Sequence, residues 1–357
     1  MNIFFELKQR LWLSAVFVFI VLFSTQSLAT GVQLYSNVYL LSPVTKISEV
    51  EDGWQPQGVG SYMQAKARLG SRLSLADGWS IGVHKRLDYL VHFDQATSDF
   101  YSALENNELP AGQYPLHLRV NAMRSHGFEV SRFIPLSSLV PFTIDSDLVI
   151  RSSLLSGNRV QDGLLTGVGE VADNGDISYQ YDLDYFYDEQ RLLDGDQVEV
   201  NGWGHSFDIH WKGSFAHGYS ASLELNDLFY RMYWQELDHD SGCLVRPLSV
   251  NPSCSVAVQA QDHTQVLPGH ARAQVSKRFE SQKFSGDLSI ETEYWSRYEA
   301  LWVSWAQSDF MVGVETQNQI YRLGYESAWL KVKYQFDHLV PKSAHFGRLS
   351  MSLYWPL

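Results

Sequence analysis

The chain has 357 residues, of which 45% are hydrophobic and 14% aromatic, with 27 Lys and Arg against 40 Asp and Glu for a formal charge of −13. That acidic balance argues against nucleic acid as a partner. The 11 Trp, 19 Tyr and 19 Phe are side chains suited to a half-apolar, half-wet setting, of which a membrane interface is one.

At the N-terminus Lys8 and Arg10 precede an apolar run from Leu11 to Phe23, and Ser27-Leu28-Ala29 stands before Thr30. Basic residues, a short apolar core and small residues at the cleavage positions are the pattern of a secretory signal peptide, expected over 1–29. The alternative is an uncleaved anchor, although the run is shorter than the ~20 residues a spanning helix needs. Cleavage would remove Lys8, Arg10 and Glu6 and move the formal charge from −13 to −14. No later stretch approaches ~18 apolar residues, so residues 30–357 are expected to form either a periplasmic β-protein or a barrel.

From residue 30 onward the dominant period is two, which places successive side chains on opposite faces of a strand. Leu41 to Val59 is polar and reads as a long loop, and Ala76-Asp77-Gly78 reads as a tight turn. In the next run Trp79, Ile81, Val83, Leu87, Tyr89, Val91 and Phe93 share one parity, broken by Lys85; Ser80, Gly82, His84, Arg86, Asp88, His92 and Asp94 share the other. Gln95 to Pro115 is a second long loop, with a short helix predicted over 99–109 and Ser98 as its N-cap. Ser125-His126 reads as part of a turn.

Asp173-Asn174-Gly175-Asp176 marks another hairpin. Ile177, Tyr179, Tyr181, Leu183, Tyr185 and Tyr187 then alternate with polar residues that include Asp182, Asp184 and Asp188. Leu193-Asp194-Gly195-Asp196 is a further turn, followed by Trp203, Phe207, Ile209, Trp211 and Phe215 on one parity. Leu237 to Pro268 reads as a third long loop. It holds Cys243 and Cys254, for which a disulfide is the economical reading in an exported chain and a two-cysteine zinc site the poorer one. Strand-like runs resume at 288–298, 310–314, 329–336 and 346–357.

In the last run Leu349, Met351, Leu353, Trp355 and Leu357 form an apolar comb against Arg348, Ser350, Ser352, Tyr354 and Pro356. Here the chain resembles Gram-negative outer-membrane β-barrel proteins, whose final strand alternates in this way with an aromatic near its end. This chain departs from that pattern by ending Trp355-Pro356-Leu357. The resemblance implies an all-β fold, a single closed antiparallel transmembrane barrel in the outer membrane. It also implies that lipid and, during biogenesis, the barrel assembly machinery are partners. At ~9 to 11 residues per crossing, roughly 14 to 18 strands are expected, with short periplasmic turns and external loops near 41–59, 95–115 and 237–268. A soluble β-sandwich is the rival fold, since alternating strands also build sandwiches.

His84, Arg86, Asp88 and His92 on one strand and Asp182, Asp184 and Asp188 on another are candidates to line the lumen. A lining of both signs suits a hydrated pore or a polar interior that is merely filled. No metal or cofactor is expected. His205 shares a face with Phe207 and Trp211 whereas His210 and Asp208 share the opposite one, so they do not converge on one ion. The acidic stretch 173–199 lacks calcium-loop spacing, and no Gly-x-Ser-x-Gly elbow or other catalytic constellation stands out. The leading expectation is a passive channel for small polar solutes, because about 14 strands enclose more space than one layer of side chains fills. The alternatives are a structural or accessory barrel for export of a surface polymer or protein, and an envelope lipid-modifying enzyme.

Overall fold

The computed structural model describes residues 29–49, 60–106, 110–136, 143–189, 198–246, 254–280 and 285–357. Except for Ala29, the expected signal segment lies outside them, as does the turn expected at 193–196. Sixteen strands are described: β1 (Ala29–Leu41), β2 (Tyr62–Leu75), β3 (Trp79–Phe93), β4 (Gly112–Pro135), β5 (Asp145–Val171), β6 (Ile177–Tyr187), β7 (Gly202–Phe215) and β8 (Tyr219–Arg246). They continue with β9 (Val256–Val266), β10 (His270–Glu280), β11 (Ser285–Trp295), β12 (Tyr298–Gln307), β13 (Phe310–Glu315), β14 (Tyr321–Glu326), β15 (Leu330–Phe336) and β16 (Phe346–Pro356). One helix, α1 (Gln95–Asn106), lies between β3 and β4.

The strands form one antiparallel sheet that closes where β16 pairs with β1, from Gly31 opposite Pro356 to Leu41 opposite Phe346. Two courses of the wall are each built from two strands. β6 and β7 share the course between β5 and β8, and β9 and β10 share the next. The result is a barrel of 14 courses. Pro356 cannot donate to the ladder, yet the pairing reaches it and the Leu357 N–H donates to Thr30 O at 3.3 Å.

Tight turns close hairpins at one rim, although the two-residue turn between β11 and β12 stands at the other. Asp77 and Gly78 (φ 58° and 75°), and likewise His217 and Gly218 (φ 61° and 73°), make tight connections from two consecutive left-handed residues. That backbone twist suits a hairpin, and Asp and Gly adopt it readily.

At the other rim β4, β5 and β8 run for 24, 27 and 28 residues, more than twice the ~9 to 11 that cross a bilayer. Their upper halves join β6 and β9 in a sheet that rises above the barrel. The connection expected at 237–268 is therefore mostly the β8–β9 hairpin, joined by the Cys243–Cys254 disulfide with its Cα atoms 4.9 Å apart. Most of the connection expected at 95–115 is α1 and the start of β4. The helix begins four residues earlier than predicted because Asp94, not Ser98, caps it: the Thr97 N–H donates to Asp94 Oδ1 at 2.7 Å. Phe100 of α1 is buried with Leu116, Leu165, Tyr181 and Leu183. Ser125 and His126, expected in a turn, lie mid-strand in β4 on opposite faces, with Ser125 buried and His126 exposed.

Residues paired across strands share a face. Leu69, Val83, Phe128 and Leu154 on β2 to β5, and Leu349 and Met351 on β16, are large apolar side chains left exposed on the outside. Exposed Trp79, Tyr219, Phe310, Trp329 and Trp355 ring the short-turn rim. A closed wall that is apolar outside is the signature of a transmembrane barrel, with aromatics at the interface. A sandwich would hide that face against a second sheet.

Candidate functional site

The other parity faces inward and is charged. His84, Arg86 and Asp88 are all buried there, and each has a specific partner. Arg86 holds Asp88 through Nε at 2.5 Å and Asp227 of β8 through Nη1 at 2.6 Å, with its guanidinium 4.1 Å from the Tyr230 ring centroid. His84 Nδ1 lies 3.5 Å from Glu129 Oε2. Burying a charge is costly unless it is paired and hydrogen-bonded, which is why the interior is organised as networks.

The first network spans β2 to β8. Glu129 accepts from Arg68 at 2.9 Å and Arg72 at 2.7 Å. Asp208 takes Arg68 at 3.2 Å and Arg151 at 2.9 Å, and its other oxygen accepts the Asp227 N–H at 3.0 Å. Asp227 also pairs with Lys66. The second network lies on the far wall. Glu293 accepts from Arg348 at 2.5 Å and Arg272 at 3.2 Å and lies 2.7 Å from His270 Nε2, while Arg322 donates to Glu291 at 2.6 Å.

β8 reaches inward because it is bulged. Its register with β7 slips on both sides of Phe207, and Asp227 and Phe229 have φ of 61° and 53°. Asp tolerates that region, but for Phe229 it costs about 1 to 2 kcal/mol. The bulge turns Asp227 towards Arg86 and Lys66 and leaves Phe229 exposed outside.

Apolar clusters narrow the lumen above these networks. Tyr39 and Trp295, on nearly opposite walls, meet with ring centroids 4.9 Å apart, and Tyr298 and Phe346 pack with them. On the other side Trp234, Met232 and Tyr230 of β8 bury against Met123, Leu155 and Val160. Gly157 and Gly202 make room for Trp234, since a Cβ at either would collide with its indole. Beside the Tyr39 cluster the two networks border a cavity of about 300 Å³, whose wall includes Tyr35, Asn37, Trp295, Lys333 and Ser350.

The remaining sequence candidates lie elsewhere. His92 sits at the mouth with Arg119, Asn121 and Arg297. Asp182 and Asp184 are exposed on β6, above the barrel body and not among the packed lumen groups. They keep the inward parity, but β6 belongs to the rising sheet. There Asp184 Oδ1 lies 2.7 Å from His239 Nε2, and Phe186 is stacked between the His239 and His263 rings. Asp188 is buried and local, accepting the Val160 N–H at 3.0 Å and pairing with Arg159. His210 faces Asn226 inside, whereas His205 packs with Phe207 and Tyr233. Asp337, His338 and His345 cluster in a loop, but Asp337 accepts the backbone N–H groups of His345 and Phe346, a loop clasp in its own right.

Sequence reasoning missed Glu129, Asp208, Asp227, Arg272, Glu291, Glu293, Arg322 and Arg348 as lumen groups. The signal for several was present. On β11 Ser289, Glu291 and Glu293 alternate with Leu288, Ile290 and Tyr294, with the acids inside and the apolar residues out.

No protein-family model matches the chain, and no curated protein does. Solved structures that superpose loosely on it include a monoaromatic hydrocarbon channel, the TodX deltaS2S3 mutant, at 10% identity and TM-score 0.32, covering 93% of this chain and 91% of that one. The Pseudomonas putida toluene transporter TodX follows at 10% identity and TM-score 0.28, covering 91% and 89%. A Pseudomonas aeruginosa FadL homologue follows at 8% and TM-score 0.21, covering 92% and 89%. All are chains of similar length, and likenesses this loose say nothing of what this barrel carries.

Proposed function

We propose that the chain is an outer-membrane channel for small polar solutes, held narrow by side chains that cross its lumen. One observation carries the reading: a single closed wall of 14 courses is apolar outside and charged inside, around a cavity. An apolar exterior is met by lipid, and a polar interior is what a hydrated path requires. The short-turn rim faces the periplasm and the rising sheet faces outward, following the usual arrangement of short and long connections in such barrels. Lipid and, during insertion, the assembly machinery are its partners.

The lumen crossings qualify the channel as constricted. The Arg86–Asp227 pair and the Tyr39–Trp295 contact each join walls far apart around the ring, so the open path is narrower than the strand number alone implies. The same crossings favour a second reading, a closed structural barrel that serves export or assembly at the surface through its upper sheet. Planar-bilayer recording of the purified chain separates the two. Discrete current steps that grow in Asp227→Asn support the channel, and silence from both the parent and the variant supports the closed barrel.

A further inference from the structure

We infer that the central lumen cavity is a binding site for a small oxyanion, a phosphate or a short dicarboxylate, with Lys333 as its key cation. The inference rests on the barrel reading for the placement of the cavity and not on conduction.

The cavity wall is unbalanced in charge. Lys66, Arg68, Arg72 and Arg151 line one side, and Arg272, Lys333 and Arg348 line the other, against the three carboxylates of Glu224, Asp227 and Glu293. Three more carboxylates stand behind the wall. Glu129 and Asp208 take up Arg68, Arg72 and Arg151, while Glu291 takes up Arg272. With Glu293 on Arg348 and Asp227 on Lys66, six of the seven bases have an acid. Among the described residues Lys333 makes no ion pair, although each of the other six does.

The surroundings of Lys333 fit an anion better than a missing carboxylate. Its lateral neighbours across the sheet are Gly324 on β14 and Ser350 on β16, and Ser350 in turn pairs with Asn37 on β1. Ser350 Oγ donates to Asn37 Oδ1 at 3.1 Å. A cation that makes no ion pair thus sits beside a neutral row that carries an amide and a hydroxyl, within reach of the fields of Glu291 and Glu224 and in a wall that also presents two arginines. Around the same networks the Nε–H groups of Arg68, Arg151 and Arg348 make no hydrogen bond to the protein. Buried polar groups are normally satisfied; Glu293 Oε2 on the cavity wall also lacks a partner, but seven bases against three carboxylates leave the wall with a surplus of positive charge. Planar guanidinium groups and an ammonium are the donor set that recognises phosphate and carboxylate oxygens. At about 300 Å³ the space suits a compact anion and not a long-chain one.

Isothermal titration of inorganic phosphate, and separately of succinate, into the purified full-length chain in detergent tests this against a chloride control. Saturable binding of either that weakens tenfold or more in Lys333→Gln, and is unchanged in Arg278→Gln at the short-turn rim, establishes the site. Should Lys333→Gln fail to fold, Ser350→Asp supplies the missing negative charge beside Lys333 and abolishes binding if the inference holds. No saturable binding to the parent, or binding that neither Lys333→Gln nor Ser350→Asp alters, overturns it. Bilayer recording is scored separately. Phosphate binding by a chain that conducts no current leaves the anion site standing and removes the channel.

Discussion

Asp227 Oδ1 lies 2.6 Å from Arg86 Nη1, although the two residues are 141 positions apart and three courses of the wall separate their strands. The pair bridges a chord of the barrel, and it exists because a bulge in β8 turns an aspartate inward. Asp227 is nearly inaccessible at 2% exposed and Arg86 at 3%, so neither charge can be left to water when the other is removed.

Replacing Asp227 with Asn is accordingly expected to destabilise the barrel, towards the lower end of the about 3 to 5 kcal/mol that breaking a buried pair costs, because Arg86 keeps Asp88. Arg86→Gln in the same chain should recover only part of that loss, since it removes the half-matched guanidinium but leaves Asp88 to Tyr230 and Lys66. Urea titration of the refolded protein in vesicles, run as a double-mutant cycle, measures the coupling. Additive losses in the two single variants would show that the pair does not act as a unit.

Adjacent residues on β16 should respond oppositely to the same substitution. Met351 is 40% exposed on the outer face, while Ser350 lines the inner cavity. Met351→Arg places a cation in the apolar belt and is expected to cost about 2 to 4 kcal/mol if the site is near the bilayer midplane. Ser350→Arg should cost much less. Folded yield in phosphatidylcholine vesicles, read by heat-modifiable gel mobility, ranks them.

Gly202→Val is expected to be harmful for a packing reason. A Cβ there collides with the Trp234 indole, which is 1% exposed and donates through Nε1 to Gln265 Oε1 at 3.1 Å. Overpacking of this kind costs about 1 to 3 kcal/mol. Trp234→Ala in the same chain should restore space and partly rescue folding, measured by the same titration.

Reduction of the Cys243–Cys254 disulfide should loosen the rising sheet and leave the membrane ring intact. The closed loop is short, with a sequence separation of 11, so the loss is expected at the lower end of the ~2 to 4 kcal/mol scale. Hydrogen exchange should quicken in the upper part of β8 and in β9 while β1 and β16 remain protected.

Much of the ring was legible from alternation alone. The run from Trp79 to Phe93 identified the outer and inner faces of β3, and the comb from Leu349 to Leu357 identified the closing strand. Alternation does not report height, however. Tyr181, Leu183 and Tyr185 look like lipid-facing residues, yet they are buried in the cluster that holds Phe100 of α1, and Asp182 and Asp184 look like lumen groups yet stand above the barrel. Period two is the same in a membrane strand and in its extension beyond the bilayer. The bulge in β8 was likewise hidden, because nothing in Asn226-Asp227-Leu228-Phe229 announces a left-handed Phe. The lumen networks were hidden in another way, since their partners lie on strands far apart in sequence, as Glu129 does from Arg68 and Glu293 from Arg348.

The divided courses on either side of β8 give that strand a mechanical position that no other strand shares. Below, it is fastened to β7 and β10; above, to β6 and β9. Its lower half is a stave of the ring and its upper half a lever arm in the surface sheet. Asp227 and Phe229, the left-handed pair, mark the place where β10 gives way to β9 on one side, whereas on the other side β7 holds as far as Trp234 and β6 takes over at Asp238. The two hand-overs are thus staggered along β8, and the lower one falls at the residue whose side chain grips Arg86.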